Sequence, residues 1–372
     1  MSSSFHPPER LLMGPGPSDV SPRILAALAR PTIGHLDPAF VAMMDQLKDM
    51  LRYAFRTANP LTVPVSAPGS AGMETCFVNL IEPGDKVIVC QNGVFGGRMA
   101  ENVRRIGAEV IVVEDAWGEP VDPDKVRVAL AQHPGSKALA FVHAETSTGV
   151  ESDAATLCAM AREAGVLTIV DAVTSLGGIP LEIDQWGVDA VYSGSQKCLS
   201  APPGLSPISF SERAVTALKA RKSPVQSWFL DLSLVMNYWE GAGARSYHHT
   251  APVNALYGLH EALVVLQEEG LSAAWDRHRA NHLRLRDGLQ AMGLHLLVAE
   301  RHRLPQLNTV VVPEGVDEAA VRRRLLAEHQ LEIGAGLGAL AGKVWRIGLM
   351  GESSRPEKVD RCLQALAEVM GR

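Results

Sequence analysis

Two short apolar runs each end in a residue able to do chemistry. "LTIVDAVTS" carries Asp171 at the polar end of a stretch that reads as a buried strand, and "DAVYSGSQK" does the same for Lys197. The interval between them is long enough for one crossover and a second strand. If the two strands are parallel neighbours, both side chains emerge at the same edge of one sheet. A lysine in a partly dry pocket titrates low and becomes a nucleophile toward carbonyls. Gly194 before Lys197 and "APPG" after it shape the backbone there; a solvated loop lysine is the plain alternative. An aspartate against an apolar wall needs a positive partner to stay ionised. A protonated pyridinium nitrogen would serve, because a unit-charge pair at about 4 Å and an effective dielectric of 20 is worth roughly 4 kcal/mol. That is about three pKa units in favour of the protonated ring, which would then withdraw electrons from a carbanion formed above it. The plain alternative for Asp171 is a cap or turn residue.

Two further segments carry candidate binding groups. In "SAPGSAGMETCFVNLIEPGD", Gly69 and Ser70 precede an apolar-periodic helix, so the free N–H groups and positive dipole end at Ser70, Ala71 and Gly72 form a natural phosphate seat. An ordinary Ser-capped helix is the competing reading. Arg346 lies inside the apolar run "KVWRIG", where an unpaired guanidinium is costly. Its planar fork wants a carboxylate and could grip that of a substrate. "GAGLGA" at 334–339 approaches the dinucleotide fingerprint, but a strand follows within a few residues and leaves no room for the helix that would receive a pyrophosphate. It reads as a tight loop.

The elements that must position these residues alternate from about residue 70. Short β-rich runs ("DKVIVC", "EVIVVE", "ALAFVHAE", "LTIVDAV", "DAVYSGS", "SPISFS") are separated by helical ones near 97–106, 123–132 and 153–164. This is the pattern of an α/β fold with a mostly parallel sheet flanked by helices. The gap from Lys197 to "SPISFS" is too short for a helical crossover, so the last strand is expected to join antiparallel. After residue 250 comes a long helical stretch, broken at Gly270. "LNTVVVPEG", a helix near 317–329, "LEIGAG", "KVWRIGLMG" and a helix from about 356 then read as a smaller α+β unit. The expected division is an N-terminal arm (1–20), a large domain (21–250) and a small C-terminal domain (251–372).

With 372 residues, 47% of them hydrophobic, the chain can bury a large core. A net charge of −6 without a long Lys/Arg run argues against nucleic-acid and membrane-surface partners. The five cysteines, at 76, 90, 158, 198 and 362, have no metal-ligand spacing and fit a reducing compartment. No metal site is expected. "MSSSFHPPER" has no secretory pattern, so cytoplasm is the expected location.

Phosphate seat, ring-pairing Asp, Schiff-base Lys and carboxylate-gripping Arg, in this chain order, resemble the pyridoxal-phosphate aminotransferases of fold type I. More closely, the sequence is similar to the alanine–glyoxylate/serine–pyruvate family, class V of the aminotransferases. The resemblance runs from "LLMGPGPSDVSPRIL" through "HAETSTGV", "VDAVTSLGGIPLEID" and "YSGSQKCLSAPPG" to "YHHTAPV" and "GKVWRIGLMG". It implies a large domain with a seven-stranded, mostly parallel sheet. It implies that Lys197 forms the Schiff base with pyridoxal 5′-phosphate and that Asp171 pairs with the ring nitrogen. Val173 and Phe95 would pack on opposite faces of the ring, Thr146 would touch its oxygen region, and Gln196 and Ser70 would help hold the phosphate. Tyr247 and Thr250 would reach the phosphate of a partner subunit, implying a homodimer with shared sites. Arg346 would take the α-carboxylate, and Gly34–His35 would lie near the substrate mouth. One departure stands out: Ala67 and Pro68 occupy positions where the family usually has Gly and a hydroxyl residue, and Pro68 has no N–H to donate.

The activity implied is transfer of an amino group from L-alanine or L-serine to glyoxylate or pyruvate by a ping-pong cycle. Ureidoglycine–glyoxylate transfer shares the same chemistry. A cysteine-desulfurase-like lyase shares the fold but needs a cysteine on a mobile loop, and a regulatory nucleotide binder would leave Lys197 and Arg346 unexplained.

Overall fold

The β-rich runs between residues 61 and 210 assemble into one seven-stranded sheet. Across it lie, in order, Leu61–Val65, Ser206–Phe210, Ala190–Tyr192, Leu167–Asp171, Ala138–Val142, Lys86–Gln91 and Glu109–Glu114. The molecule is described from a computed structural model, which covers residues 3–240 and 245–371. Only Ser206–Phe210 runs against the other strands, antiparallel to both its neighbours. The short connection after Lys197 therefore acts as expected. Ala138–Val142 and Leu167–Asp171 are buried at every position, without alternation, because helices cover both faces of the sheet.

Leu61–Val65 is a strand that the alternation of runs does not reveal, since Pro64 interrupts it. It is tolerated because the strand lies at the sheet edge, where Pro64 faces Pro207. The side chains of Asp122, Asp153, Ser211 and Asp317 cap the helices that follow them. By contrast, the Gly69–Leu80 and Val94–Ile106 helices begin at Pro68 and Gly93 with no side-chain cap of their own. Both of those open ends face the site.

The helical stretch after residue 250 breaks at Gly270 (φ 86°) into Val253–Glu269 and Leu271–Ala291. The first of these buries Leu256, Leu259 and Leu263 in the core beneath the large sheet. A second core, including Leu285, Leu325, Trp345, Ile347 and Leu366, lies under a three-stranded antiparallel sheet of Leu307–Val311, Val344–Gly348 and Gly334–Ala335. "GAGLGA" supplies the short Gly334–Ala335 strand and one 3-10 turn, Gly338–Leu340, as a tight loop should.

The N-terminal segment joins this second core. Leu11–Leu12 pairs in parallel with Leu331–Glu332, and the Gly348 N–H donates to the Met13 carbonyl at 2.8 Å. Residues 14–17 then pass between the Val344–Gly348 strand and Lys197. A methyl group at Gly348 would strike the Gly14 carbonyl oxygen. One at Gly16, whose φ is +106°, would lie 2.7 Å from the lysine amine. No helix among the described residues is long and apolar enough to cross a membrane.

Candidate active site

Asp171 ends its strand, and Lys197 lies on the turn that follows the neighbouring parallel strand Ala190–Tyr192. Both therefore leave the carboxyl edge of the sheet. Asp171 is 3% exposed; one of its oxygens, Oδ1, accepts the Val173 N–H and the other, Oδ2, accepts the Tyr192 hydroxyl, both at 2.8 Å. Burial pushes its pKa up to about 7 against the pull of these two donors; Glu145 raises it further, and Lys197 lowers it. Tyr192 is itself fully buried, and burial drives its phenol well above the ordinary value, so it stays a donor.

The Lys197 amine donates to the Pro15 carbonyl. Burial lowers its pKa to about 8; Arg346 and Arg98 lower it further, while Cys198 and Asp171 pull it back. The turn that carries it is pinned from outside. The Ser18 N–H donates to the Gln196 carbonyl at 2.9 Å, and the Ser18 hydroxyl donates to the Lys197 carbonyl at 2.9 Å. Asp171 and Lys197 form no ion pair, although both are displaced from their ordinary pKa by the same dry surroundings.

Arg346, on the Val344–Gly348 strand, is 6% exposed. The sequence calls for a carboxylate partner. Instead Nε donates to the Ala335 carbonyl at 2.7 Å and one terminal nitrogen to the Thr146 carbonyl at 3.0 Å. Among the described residues no carboxylate lies in ion-pair reach of it. Burial lowers its pKa to about 10, and Glu145 opposes that. The guanidinium is thus held in plane by backbone oxygens while its charge remains unneutralised at contact distance.

The expected phosphate seat divides. The Gly69 and Ser70 N–H groups have no acceptor among the described residues, but the Ala71 N–H already donates to the Pro68 carbonyl at 2.7 Å. Gly72 faces the sheet, where a methyl group would collide with the Ser206 hydroxyl. It serves close packing of helix on strand. A methyl group at Gly69 would make only ordinary contact with Val173 and Gly194, and the buried Gln196 Oε1 has no partner.

Phe95 and Val173 are half-buried, and the Arg98 guanidinium stands 4.8 Å from the Phe95 ring centroid. Tyr247 and Thr250 make no hydrogen bond to the other candidate residues. Tyr247 is 65% exposed, its hydroxyl 3.5 Å from the Thr250 Oγ1, with its ring against His35. His35 in turn bonds the Tyr238 hydroxyl at 2.8 Å.

Four contributors escape the sequence reading: Tyr192, Glu145, Ser18 and the Pro15 carbonyl. Tyr192 could have been found as a tyrosine in a wholly buried strand, where its hydroxyl must find a partner. Glu145 could have been found as a carboxylate amid "FVHAETSTG". A backbone carbonyl leaves no signal. Among the described residues no group of three or more His, Cys, Asp or Glu is arranged to hold a metal ion.

The sequence model of the family described as aminotransferase class-V matches residues 23–355. An alanine–glyoxylate aminotransferase of Drosophila melanogaster is 40% identical over 366 residues, covering 98% of this chain and 93% of that protein. A Bacillus subtilis protein named (S)-ureidoglycine–glyoxylate transaminase is 37% identical over 381 residues, covering 98% and 91%. Among solved structures, an alanine–glyoxylate aminotransferase from Nostoc sp. superposes with a TM-score of 0.97 at 47% identity, covering 100% of this chain and 97% of that one.

Proposed function

Since the chain belongs to the class-V aminotransferase family, we propose that it transfers an amino group from a small amino acid, L-alanine foremost, to glyoxylate, with pyridoxal 5′-phosphate as cofactor. The observation that carries this reading is the pair of displaced groups. Asp171, up to about 7, and Lys197, down to about 8, share one dry sheet edge without neutralising each other. A molecule offering a basic ring nitrogen to the first and an aldehyde to the second relieves both.

The chain's own groups fit that molecule. Asp171, held in place by the Tyr192 hydroxyl, would pair with the ring nitrogen, and Val173 and Phe95 would pack on the ring faces. The free N–H groups of Gly69 and Ser70 offer hydrogen-bond donors at the phosphate end, and the Gln196 amide could contribute only through its NH2 group, its buried Oε1 being an acceptor. One of the seat's expected donors, the Ala71 N–H, is committed to the Pro68 carbonyl, so that end relies on fewer donors from this chain. When bound, pyridoxal phosphate supplies an electron sink for the amino acid's Cα and a carbon that carries the amino group between half-reactions.

Arg346 grips the α-carboxylate with the part of its fork that the two carbonyls leave free. The Lys197 amine, neutral in a large fraction near its pKa of about 8, takes the α-proton onto Nζ and gives it up again. Pro15 and Gly16, against that amine, leave little depth beside it, which supports a preference for small side chains. The exposed Tyr247, with Trp228 63% exposed, supports a homodimer in which Tyr247 and Thr250 serve the partner's site. Five free, buried cysteines support a reducing compartment, cytoplasmic in this reading. Burial also raises their thiols, Cys198 to about 12, so no cysteine is prepared as the nucleophile of a desulfurase.

The Bacillus relative's name favours a second reading, with (S)-ureidoglycine as donor. One experiment separates them: follow the visible spectrum of the purified holoprotein while adding L-alanine, L-serine or (S)-ureidoglycine alone, then glyoxylate. Bleaching by alanine and recovery with glyoxylate is expected. Bleaching by ureidoglycine but not alanine moves the assignment to the second reading. A protein that stays colourless with added pyridoxal phosphate overturns both.

A further inference from the structure

The Val94–Ile106 helix brings Phe95 to the site, yet its first turn has no cap of its own. The missing acceptors come from a distant hairpin. The Val94 N–H donates to the Ser147 Oγ at 3.0 Å and the Phe95 N–H to the Glu145 Oε2 at 3.2 Å, and the Gly96 N–H also points to Glu145. The Ser147 hydroxyl and N–H close the circuit on Glu145 Oε1, at 2.6 and 3.0 Å. Glu145 is completely buried. Gly93 leaves the space for it, since a methyl group there would lie 2.5 Å from its carboxyl carbon.

Between Glu145 and Ser147 stands Thr146, whose carbonyl accepts the Arg346 guanidinium at 3.0 Å. One three-residue stretch therefore grips the helix that carries Phe95 on one side and Arg346 on the other. Isolated helix starts use a local Ser, Asp or Asn for this purpose. A remote cap costs the burial of a carboxylate, and it returns something a local cap does not: a fixed distance between two otherwise separate elements.

We infer that Glu145 is a positioning residue which, through Ser147 and the Thr146 carbonyl, holds Phe95 and Arg346 in one frame, so that ring face and carboxylate grip keep their register. The assignment of ring and carboxylate rests on the functional reading above; the mechanical tie does not.

Hydrogen exchange on the cofactor-free protein and steady-state kinetics on the holoprotein test the two parts separately. In Glu145→Gln the amides of residues 94–96 are expected to exchange at least about tenfold faster, as a charged hydrogen bond is lost. KM for the amino acid should rise about tenfold while kcat changes less. Ser147→Ala, a milder change that keeps the test decisive if Glu145→Gln folds poorly, should move both readouts the same way to a smaller extent. Unchanged exchange at 94–96 overturns the tie. Faster exchange with unchanged KM overturns its bearing on substrate. A wild type without transaminase activity overturns the functional reading instead, and the exchange measurement still decides the tie.

Discussion

Asp171 and Tyr192 face each other in register on adjacent parallel strands, and the phenol donates to the carboxylate at 2.8 Å. A hydroxyl that burial keeps protonated is a donor fixed in state as well as in position. Tyr192→Phe leaves Asp171 with the Val173 N–H alone. Its pKa then rises beyond about 7, and its hold on a protonated ring nitrogen weakens. Hydrogen bonds to charged groups are worth about 1.5–3 kcal/mol, so kcat/KM should fall roughly 10- to 100-fold, with weaker cofactor binding by fluorescence titration. Unaltered kinetics would make Tyr192 a packing residue only.

Asp171→Asn should separate stability from function. The folded pKa of about 7 exceeds the ordinary aspartate value of 3.8, so the native cofactor-free protein holds a proton that the unfolded chain releases between those values. This group's contribution is therefore full below about pH 4 and lost as pH rises through about 7. The cofactor-free Asn variant should gain on the wild type over that window and hold the gain above it, by at most about 4 kcal/mol, as measured by denaturant titration. Its transaminase activity should drop about 10³-fold if the lost charge pair is worth roughly 4 kcal/mol.

The lysine makes a prediction of its own. With a pKa of about 8, its neutral, nucleophilic fraction rises about tenfold per pH unit below that value and levels above it. The rate at which cofactor-free protein forms a coloured adduct with a simple aromatic aldehyde should follow that curve. Lys197→Ala should form none at this site. A rate that keeps climbing toward pH 10 would describe an ordinary solvated lysine.

Arg346→Lys keeps the charge and loses the fork. The two carbonyls that now flatten the guanidinium would compete for the ammonium. KM for the amino acid should increase about 100-fold, equivalent to about 3 kcal/mol, with a smaller change in kcat. An unchanged KM would remove Arg346 from the substrate.

Shared sites predict complementation. Lys197→Ala and Tyr247→Ala, each inactive or nearly so, should regain up to about a quarter of wild-type activity after subunit exchange, because half the dimers then hold one intact site. No recovery would place Tyr247 outside the partner's site. The exposure of Tyr247 in the single chain is what motivates the test.

Much of this site was legible in the sequence because local patterns carry it. "LTIVD" and "DAVY" are short, apolar and polar-ended, and the interval between them fits a crossover, so Asp171 and Lys197 could be set side by side from the chain alone. The antiparallel last strand followed from a gap too short for anything else. What was not legible depends on partners far away. Phe95 leans on Glu145, 50 residues off, and Lys197 on Pro15, 182 residues off. Composition and period say nothing about such distances. Ala71 was misleading for a local reason: its N–H closes a turn on the Pro68 carbonyl instead of facing outward. Leu61–Val65 stayed hidden because Pro64 interrupts its run, and the edge position that accommodates it is a property of the assembled sheet.

Gly14 to Pro17 lie between Lys197 and the Val344–Gly348 strand, held there by pairing with residues near 331 and 348. During synthesis these residues leave the ribosome long before the surfaces they dock on. A nascent chain can build the central sheet long before then, but its lysine stays uncovered until residues 11–17 meet the region around residues 331–348. Closing a loop of that length is a slow, entropically costly step. Chains stalled or cut short of residue 348 would thus lack the docking surface for this segment, which ties a finished reactive centre to synthesis through at least residue 348.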